Sequence, residues 1–286
     1  MYAQYPAPDD LKHLICFFYT MEHHSHDKPL QALLPSATEV NGWQYSGRWR
    51  VKFNFNKNNN DLLLPEFYIV GQQTVSYTLT AEQGLAGIFG AALQPGAATL
   101  ITGKPAHFFT NNPAPTQSLF PSEIIHPFIR DFNASRTVTQ RMDTVIRFYR
   151  QFNIPEEYRV YNKALQLIYL NKASISVAEL CEKLRVNERY LQREFREHIG
   201  IPPSAYLRML RFNNVFTELQ LSQGKQNMEA LAMLFRYYDL SHFYKDHKKY
   251  FGIAPSHMML DKFKLLEELL RNGPYLLQVQ SATPDI

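Results

Sequence analysis

The sequence predicts an α+β chain with a β-rich, barrel-like or mixed N-terminal domain, a helical connector, and an all-α C-terminal domain of two helix-turn-helix units joined by a long helix. Three observations predict it. Period-two alternation is confined to roughly the first 110 residues. From about Pro121 the apolar period becomes helical. A quasi-repeat then recurs in the last third. The expected boundaries are 1–115, 116–155 and 156–262, with 263–286 as a C-terminal helix end and tail.

Composition supports this frame. The 286 residues suffice for two domains with a core each, and 45% hydrophobic with 14% aromatic content is globular, which excludes a disordered or coiled-coil chain. No apolar run approaches about 18 residues. Met1 to Asp10 lack the basic-then-apolar layout of a secretion signal, so a soluble cytoplasmic protein without a membrane partner is expected. Cys16 and Cys181 are too few for a disulfide scaffold and read as small core residues. With no Walker-type loop, no Gly-x-Ser-x-Gly elbow and no His-Glu-x-x-His, no catalytic residue, metal ligand or cofactor is assigned.

In chain order, Trp49 to Phe55 alternates as a half-buried strand, and Asn56 to Asp61 is a cluster of turn formers. Phe67–Val70, Thr74–Leu79 and Gly87–Leu93 read as further strands. Pro95 suits the first turn of a short helix, Gly96 to Ile101, and Asn111 to Pro115 reads as a loop. His23, His24 and His26 beside Glu22 and Asp27 suggest either a metal site or a polar loop. Their adjacency favours the loop, because barrel ligands come from separate strands. Trp43, Tyr45, Trp49, Phe53 and Phe55 suit an apolar pocket or a core, and the core is the commoner fate. Ile124, Ile125, Phe128 and Ile129, then Met142, Val145, Ile146 and Tyr149, make 121–153 helical. Pro155 is a boundary, followed by a helix to about Asn171 that buries Val160, Ala164, Leu167 and Ile168.

The repeat aligns Tyr190 to Pro203 with His242 to Pro255 at a constant offset. Each tract is an amphipathic helix stopped by a glycine with a proline just beyond. A short helix precedes each, Ser176–Leu184 and Met228–Phe235. Their apolar stripes are Val177, Leu180, Cys181, Leu184 and Met228, Leu231, Ala232, Phe235. In the first long helix Leu191, Phe195 and Ile199 face inward, leaving Arg189, Gln192, Arg193 and Arg196 on the opposite stripe. In the second, Phe243, His247 and Phe251 face inward, leaving Ser241, Tyr244, Lys245 and Lys248. Arg and Gln of this kind can read base edges in a major groove, and successive grooves on one face lie about 34 Å apart. A long helix from Ser204 to about Leu219, packing Tyr206, Leu207, Leu210 and Val215, would hold the two readers at that spacing. Seven basic residues against three acidic ones between Lys183 and Arg211 suit a phosphate-binding face, though taken alone they serve an ordinary solvated face equally well.

Roughly 156–260 resembles the AraC/XylS family of bacterial transcription regulators. The carrying residues are Leu180-Cys181, Tyr190-Leu191-Gln192-Arg193-Glu194-Phe195, Gly200-Ile201-Pro202-Pro203, Tyr206-Leu207, Arg211, Ala232, Asp239-Leu240-Ser241-His242-Phe243 and Lys248 to Pro255. The resemblance implies base contacts from Arg189, Gln192 and Arg193 in the first unit and from Leu240, Ser241, Tyr244 and Lys245 in the second. Arg185, Arg196, Arg236 and Lys248 are assigned to phosphates. It further implies double-stranded DNA as partner, activation through RNA polymerase, and an N-terminal domain for a small-molecule effector or a homodimer. Val70 to Gln73 and Gly87 to Ala98 show a fainter likeness to the β-rich sensor domains of such regulators.

Three departures stand out. Arg185 and Arg236 occupy turn positions where glycine is usual, each at about 1 kcal/mol if the turn needs a positive φ. His247 replaces a core aromatic, and Met259 stands where a basic residue is frequent. Specificity is therefore expected to rest mainly on the first unit. Two rival readings are a metal-dependent N-terminal enzyme fused to a DNA reader, and C-terminal helices that bind protein rather than DNA.

Overall fold

The computed structural model describes residues 1–27, 30–33, 37–53, 61–152, 154, 159–221, 227–235, 237 and 239–251. Its strands are β1 (Tyr2–Pro6), β2 (Ile15–His24), β3 (Leu30–Leu33), β4 (Glu39–Ser46), β5 (Trp49–Phe53), β6 (Asp61–Leu63), β7 (Phe67–Val70), β8 (Tyr77–Ala81), β9 (Leu85–Leu93) and β10 (Ala114–Pro115). They form two antiparallel sheets ordered β1-β2-β9-β4-β7-β10 and β3-β8-β5-β6. The predicted strands appear as β5, β7, β8 and β9, and Ala114–Pro115, foreseen as loop, pairs with β7 instead.

The sheets stack on a shared apolar layer: Met21, Tyr68, Ala86 and Ile88 from one meet Trp49, Val51, Phe53 and Leu79 from the other. Strand β9 lies between β2 and β4 and is buried almost end to end, which its small residues permit. Gly90 faces Gly42 across the ladder. A Cβ on either would run into a tyrosine ring, Tyr19 over Gly90 and Tyr68 over Gly42.

The outer face of the larger sheet carries α1 (Ala97–Thr102), α2 (Ser122–Ala134) and α3 (Val138–Arg150). The expected connector is therefore part of the N-terminal core. Trp43, at 0% exposure, meets Phe128, Phe132 and Tyr149 at ring separations of 5.9, 6.1 and 6.5 Å. Aromatic pairs of this kind contribute about 0.5–1.5 kcal/mol each beyond area burial. The connecting turn is fixed by a capping box, with Thr137 accepting from the Gln140 amide and the Gln140 side chain accepting from Thr137.

Trp43, Trp49 and Phe53 are core as expected, while Tyr45 donates to Glu22 at 2.7 Å and carries the Arg141 guanidinium over its ring. Phe55 lies outside the described residues. The histidine loop is corrected: His23 and His24 end β2, so strand alternation sends them to opposite faces. His23 is buried and stacks on Trp49, whereas His24 stacks on His26. Among the described residues no group of three or more His, Cys, Asp or Glu is arranged to hold a metal, and no helix is long and apolar enough to cross a membrane.

The C-terminal part consists of α4 (Val160–Leu170), α5 (Val177–Leu184), α6 (Glu188–His198), α7 (Pro203–Leu221), α8 (Met228–Leu234) and α9 (Leu240–Phe251). Helix α4 begins at Val160, and 155–158 lie outside the described residues. It buries Tyr161, Ala164, Leu165 and Ile168, with Leu167 only partly covered. The expected packed residues of α7, Tyr206, Leu207, Leu210 and Val215, are all buried.

Candidate nucleic-acid interface

The first unit is α5, a tight turn and α6. Ser176 and Glu179 form a capping box at the start of α5. The helix stops at Arg185, whose φ of 54° and ψ of 43° are left-handed. The arginine at this turn has thus kept the glycine conformation at the cost of strain, about 1 kcal/mol. Its side chain is exposed. Two residues on, Asn187 caps α6 by accepting from the Tyr190 amide at 2.8 Å.

Helix α6 divides as its spacing predicts. Leu191, Phe195 and Ile199 are 0% exposed, while Arg189, Gln192, Arg193 and Arg196 all face solvent. All four come from successive turns of one helix, so their side chains form a continuous polar ridge over a rigid apolar spine. Cys181 is half-buried, and Cys16 also is only partly covered.

The second unit is built on the same plan with different fittings. Ala232 and Phe235 of the first helix and its turn are buried, and Asp239 caps α9 through the His242 amide at 2.8 Å. Phe243 and His247 point inward, with His247 edge-on to Phe212 at 6.0 Å and to Phe243 at 6.1 Å, so the histidine occupies an aromatic slot. Ser241, Tyr244, Lys245 and Lys248 are exposed, and Leu240 is partly covered. Arg236, Met259, the 252–255 stop signal and 263–286 lie outside the described residues.

Two residues play parts that the spacing did not reveal. Arg211, counted among the basic surface, donates to the Ala173 and Ile175 carbonyls at 2.8 and 2.7 Å. It clamps the loop before α5, where Lys172 and Ala173 both have positive φ. Asp246 is buried beside a cavity of about 240 Å³ between the units and accepts from the Tyr237 hydroxyl at 3.1 Å. Burial pushes its carboxyl up, and Arg208 opposes that shift.

The back of the first unit is docked on the N-terminal domain. Thr110 donates to the Gly200 carbonyl at 3.1 Å, Thr99 to the Glu197 carbonyl at 3.4 Å, and Tyr206 to the Ala37 carbonyl at 3.3 Å. His198 stacks on Tyr161 at 4.6 Å, and Gly96 lies against that same tyrosine. The end of α6 is therefore held while its polar ridge stays exposed.

Behind α1, the buried Glu39 accepts from the Gly96 and Ala98 amides, each at 2.8 Å. Burial pushes its carboxyl from 4.5 up to about 7, outweighing the two amide donors. The folded state therefore binds an extra proton between those values. The associated stability is fully present below pH 4.5 and is lost as pH rises through 7. Relative to Glu39→Gln, which cannot ionise, the wild type should lose about 3 kcal/mol between roughly pH 4 and pH 8. Urea unfolding at a series of pH values reads this, and parallel profiles would contradict it.

Residues 180–260 match the family model described as a helix-turn-helix domain. Among solved structures, ToxT from Vibrio cholerae bound to (E)-4-(8-methylnaphthalen-1-yl)but-3-enoic acid is 14% identical over 86% of this chain and 99% of its own, with a TM-score of 0.46. A second structure of ToxT, at 1.65 Å resolution, is 13% identical over 86% and 98%, with a TM-score of 0.45. Both likenesses are distant; within the matched domain, α6 and α9 are each capped and carry an exposed polar face. Residues 180–260 are a helix-turn-helix domain, and the chain that carries them is a DNA-binding transcription regulator.

Proposed function

We propose that α6 and α9 enter successive major grooves on one face of a duplex, with α7 setting their separation and the N-terminal sandwich controlling the outcome. The observation that supports this best is the ridge of Arg189, Gln192, Arg193 and Arg196, fully outside a helix whose other side is anchored by Leu191, Phe195 and Ile199. Arg189, Gln192 and Arg193 contact bases in this reading, as do Leu240, Ser241, Tyr244 and Lys245. Arg185, Arg196 and Lys248 meet phosphates, and Arg236 is carried over from the sequence alone. The first unit dominates specificity, because Leu240 is partly covered and Ser241 is short. The regulator acts as an activator contacting RNA polymerase, its N-terminal domain receiving a small effector or a second copy.

The test is binding to selected and random duplexes across a salt series. Affinity should fall steeply with salt while one sequence stays preferred. Arg193→Ala should cost about 1–3 kcal/mol of that preference, whereas Arg196→Ala should weaken all duplexes alike and lower the salt slope by about 1. Equal affinity for both duplexes at physiological salt contradicts the reading. Loss of preference in Tyr244→Ala and Lys245→Ala, but not in Arg193→Ala, would transfer the dominant role to the second unit.

A further inference from the structure

We infer that Glu188, which the functional reading above leaves unused, is the positioning residue that fixes the base choice of Gln192. The inference rests on the proposal that α6 reads bases.

Glu188 is the first residue of α6, one turn before Gln192. Its Oε1 accepts from Gln192 Nε2 at 2.9 Å. A glutamine side chain on an open helix face is otherwise free to exchange its amide nitrogen and carbonyl oxygen, which reverses the order of donor and acceptor it presents to a groove. The Glu188 carboxylate removes that freedom. Turning Oε1 towards it would set two acceptors against each other, so the nitrogen stays on the Glu188 side and the carbonyl on the far side. The amide keeps a second N–H, so the held group still offers one donor and one acceptor side by side in a fixed order. Adenine presents the complementary pair, N7 as acceptor and N6 as donor, whereas guanine presents two acceptors. A fixed donor–acceptor order therefore favours adenine over guanine, and adenine on one strand over adenine on the other.

Arg193 is steadied in parallel. Its guanidinium lies 5.0 Å from the centre of the Tyr190 ring. Two neighbouring reading side chains are thus each held by a residue that is not itself on the ridge. The carboxylate also carries a cost, because it is a negative charge brought close to phosphates.

The experiment selects binding sites for the full-length protein from a randomised duplex library at physiological salt, then measures preference at each base pair. Wild type, Gln192→Ala, Glu188→Ala and Glu188→Gln are compared. Gln192→Ala should lose the preference at one A·T pair. Glu188→Ala should lose it at that same pair by about tenfold, while binding random duplexes slightly more tightly. Glu188→Gln, whose amide offers Gln192 a donor as well as an acceptor and so no longer fixes the order, should lose most of the preference as Glu188→Ala does. A purely electrostatic role for Glu188 would move all sequences together and leave the base preference intact, which overturns the inference. A wild type with no sequence preference would overturn base reading by α6 itself, and a Gln192→Ala protein that keeps the preference would overturn base reading by Gln192 and the inference with it.

Discussion

Phe195→Ala is expected to destabilise the first helix-turn-helix unit by about 3–5 kcal/mol and to abolish specific DNA binding with it. Phe195 is 0% exposed, and its ring meets that of Tyr206 edge-on at 6.1 Å, in a cluster with Leu180, Leu191 and Ile199. That cluster joins α5, α6 and α7, so truncation leaves a cavity where the three helices pack together. A typical domain is stable by only about 5–15 kcal/mol, which makes the loss a large fraction of the total. Arg193→Ala provides the contrast. Its side chain is exposed, so stability should shift by no more than about 0.5 kcal/mol while sequence preference falls. Urea unfolding and duplex binding on the same samples separate the two effects. A Phe195→Ala protein with a wild-type midpoint would show that α6 is held by something other than its apolar spine.

The ridge on α6 and its spine were legible because both follow from helical spacing within a dozen residues, and local periodicity survives in any tertiary context. Arg185 was legible as a question: the sequence marked a bulky residue where the turn wants a positive φ, and the backbone indeed takes 54° there. The positions of His23 and His24 were missed because a short histidine run has the composition of a loop, whereas pairing with β9 makes it the end of a strand. The helices of 121–153 read as a connector because nothing local records that Phe128, Phe132 and Tyr149 would close over Trp43, some ninety residues earlier in the chain. Glu39 was invisible for a related reason. A single glutamate at a strand start carries no motif, and only the fold brings the Gly96 and Ala98 amides to it. Arg211 was counted correctly as basic but assigned to the surface charge, because the carbonyls it clamps belong to another loop.

Gly200→Ala is expected to cost about 2–4 kcal/mol, from two sources that can be separated. The first is local. Gly200 ends α6 with a φ of +91°, its amide donating to the Phe195 carbonyl at 2.8 Å, and an L-residue resists that conformation. The second source is the domain joint. An added Cβ would stand 2.5 Å from Thr110 Oγ1 and 2.9 Å from the Ala106 carbonyl oxygen, and the latter is backbone that cannot swing aside. The hydroxyl can be removed experimentally. In a Thr110→Ala background the hydrogen bond to the Gly200 carbonyl is already gone and the nearest obstacle with it, so the added methyl should cost about 1 kcal/mol less than in the wild type. Additive costs in the double-mutant cycle would mean that the strain is confined to the helix end. Coupling of the expected size would mean that α6 and the N-terminal domain meet through this contact in solution. The exposed polar ridge of α6 lies away from the joint, so duplex affinity should survive as long as α6 remains folded. The cost would then appear in how firmly the N-terminal sandwich is tied to the first helix-turn-helix unit.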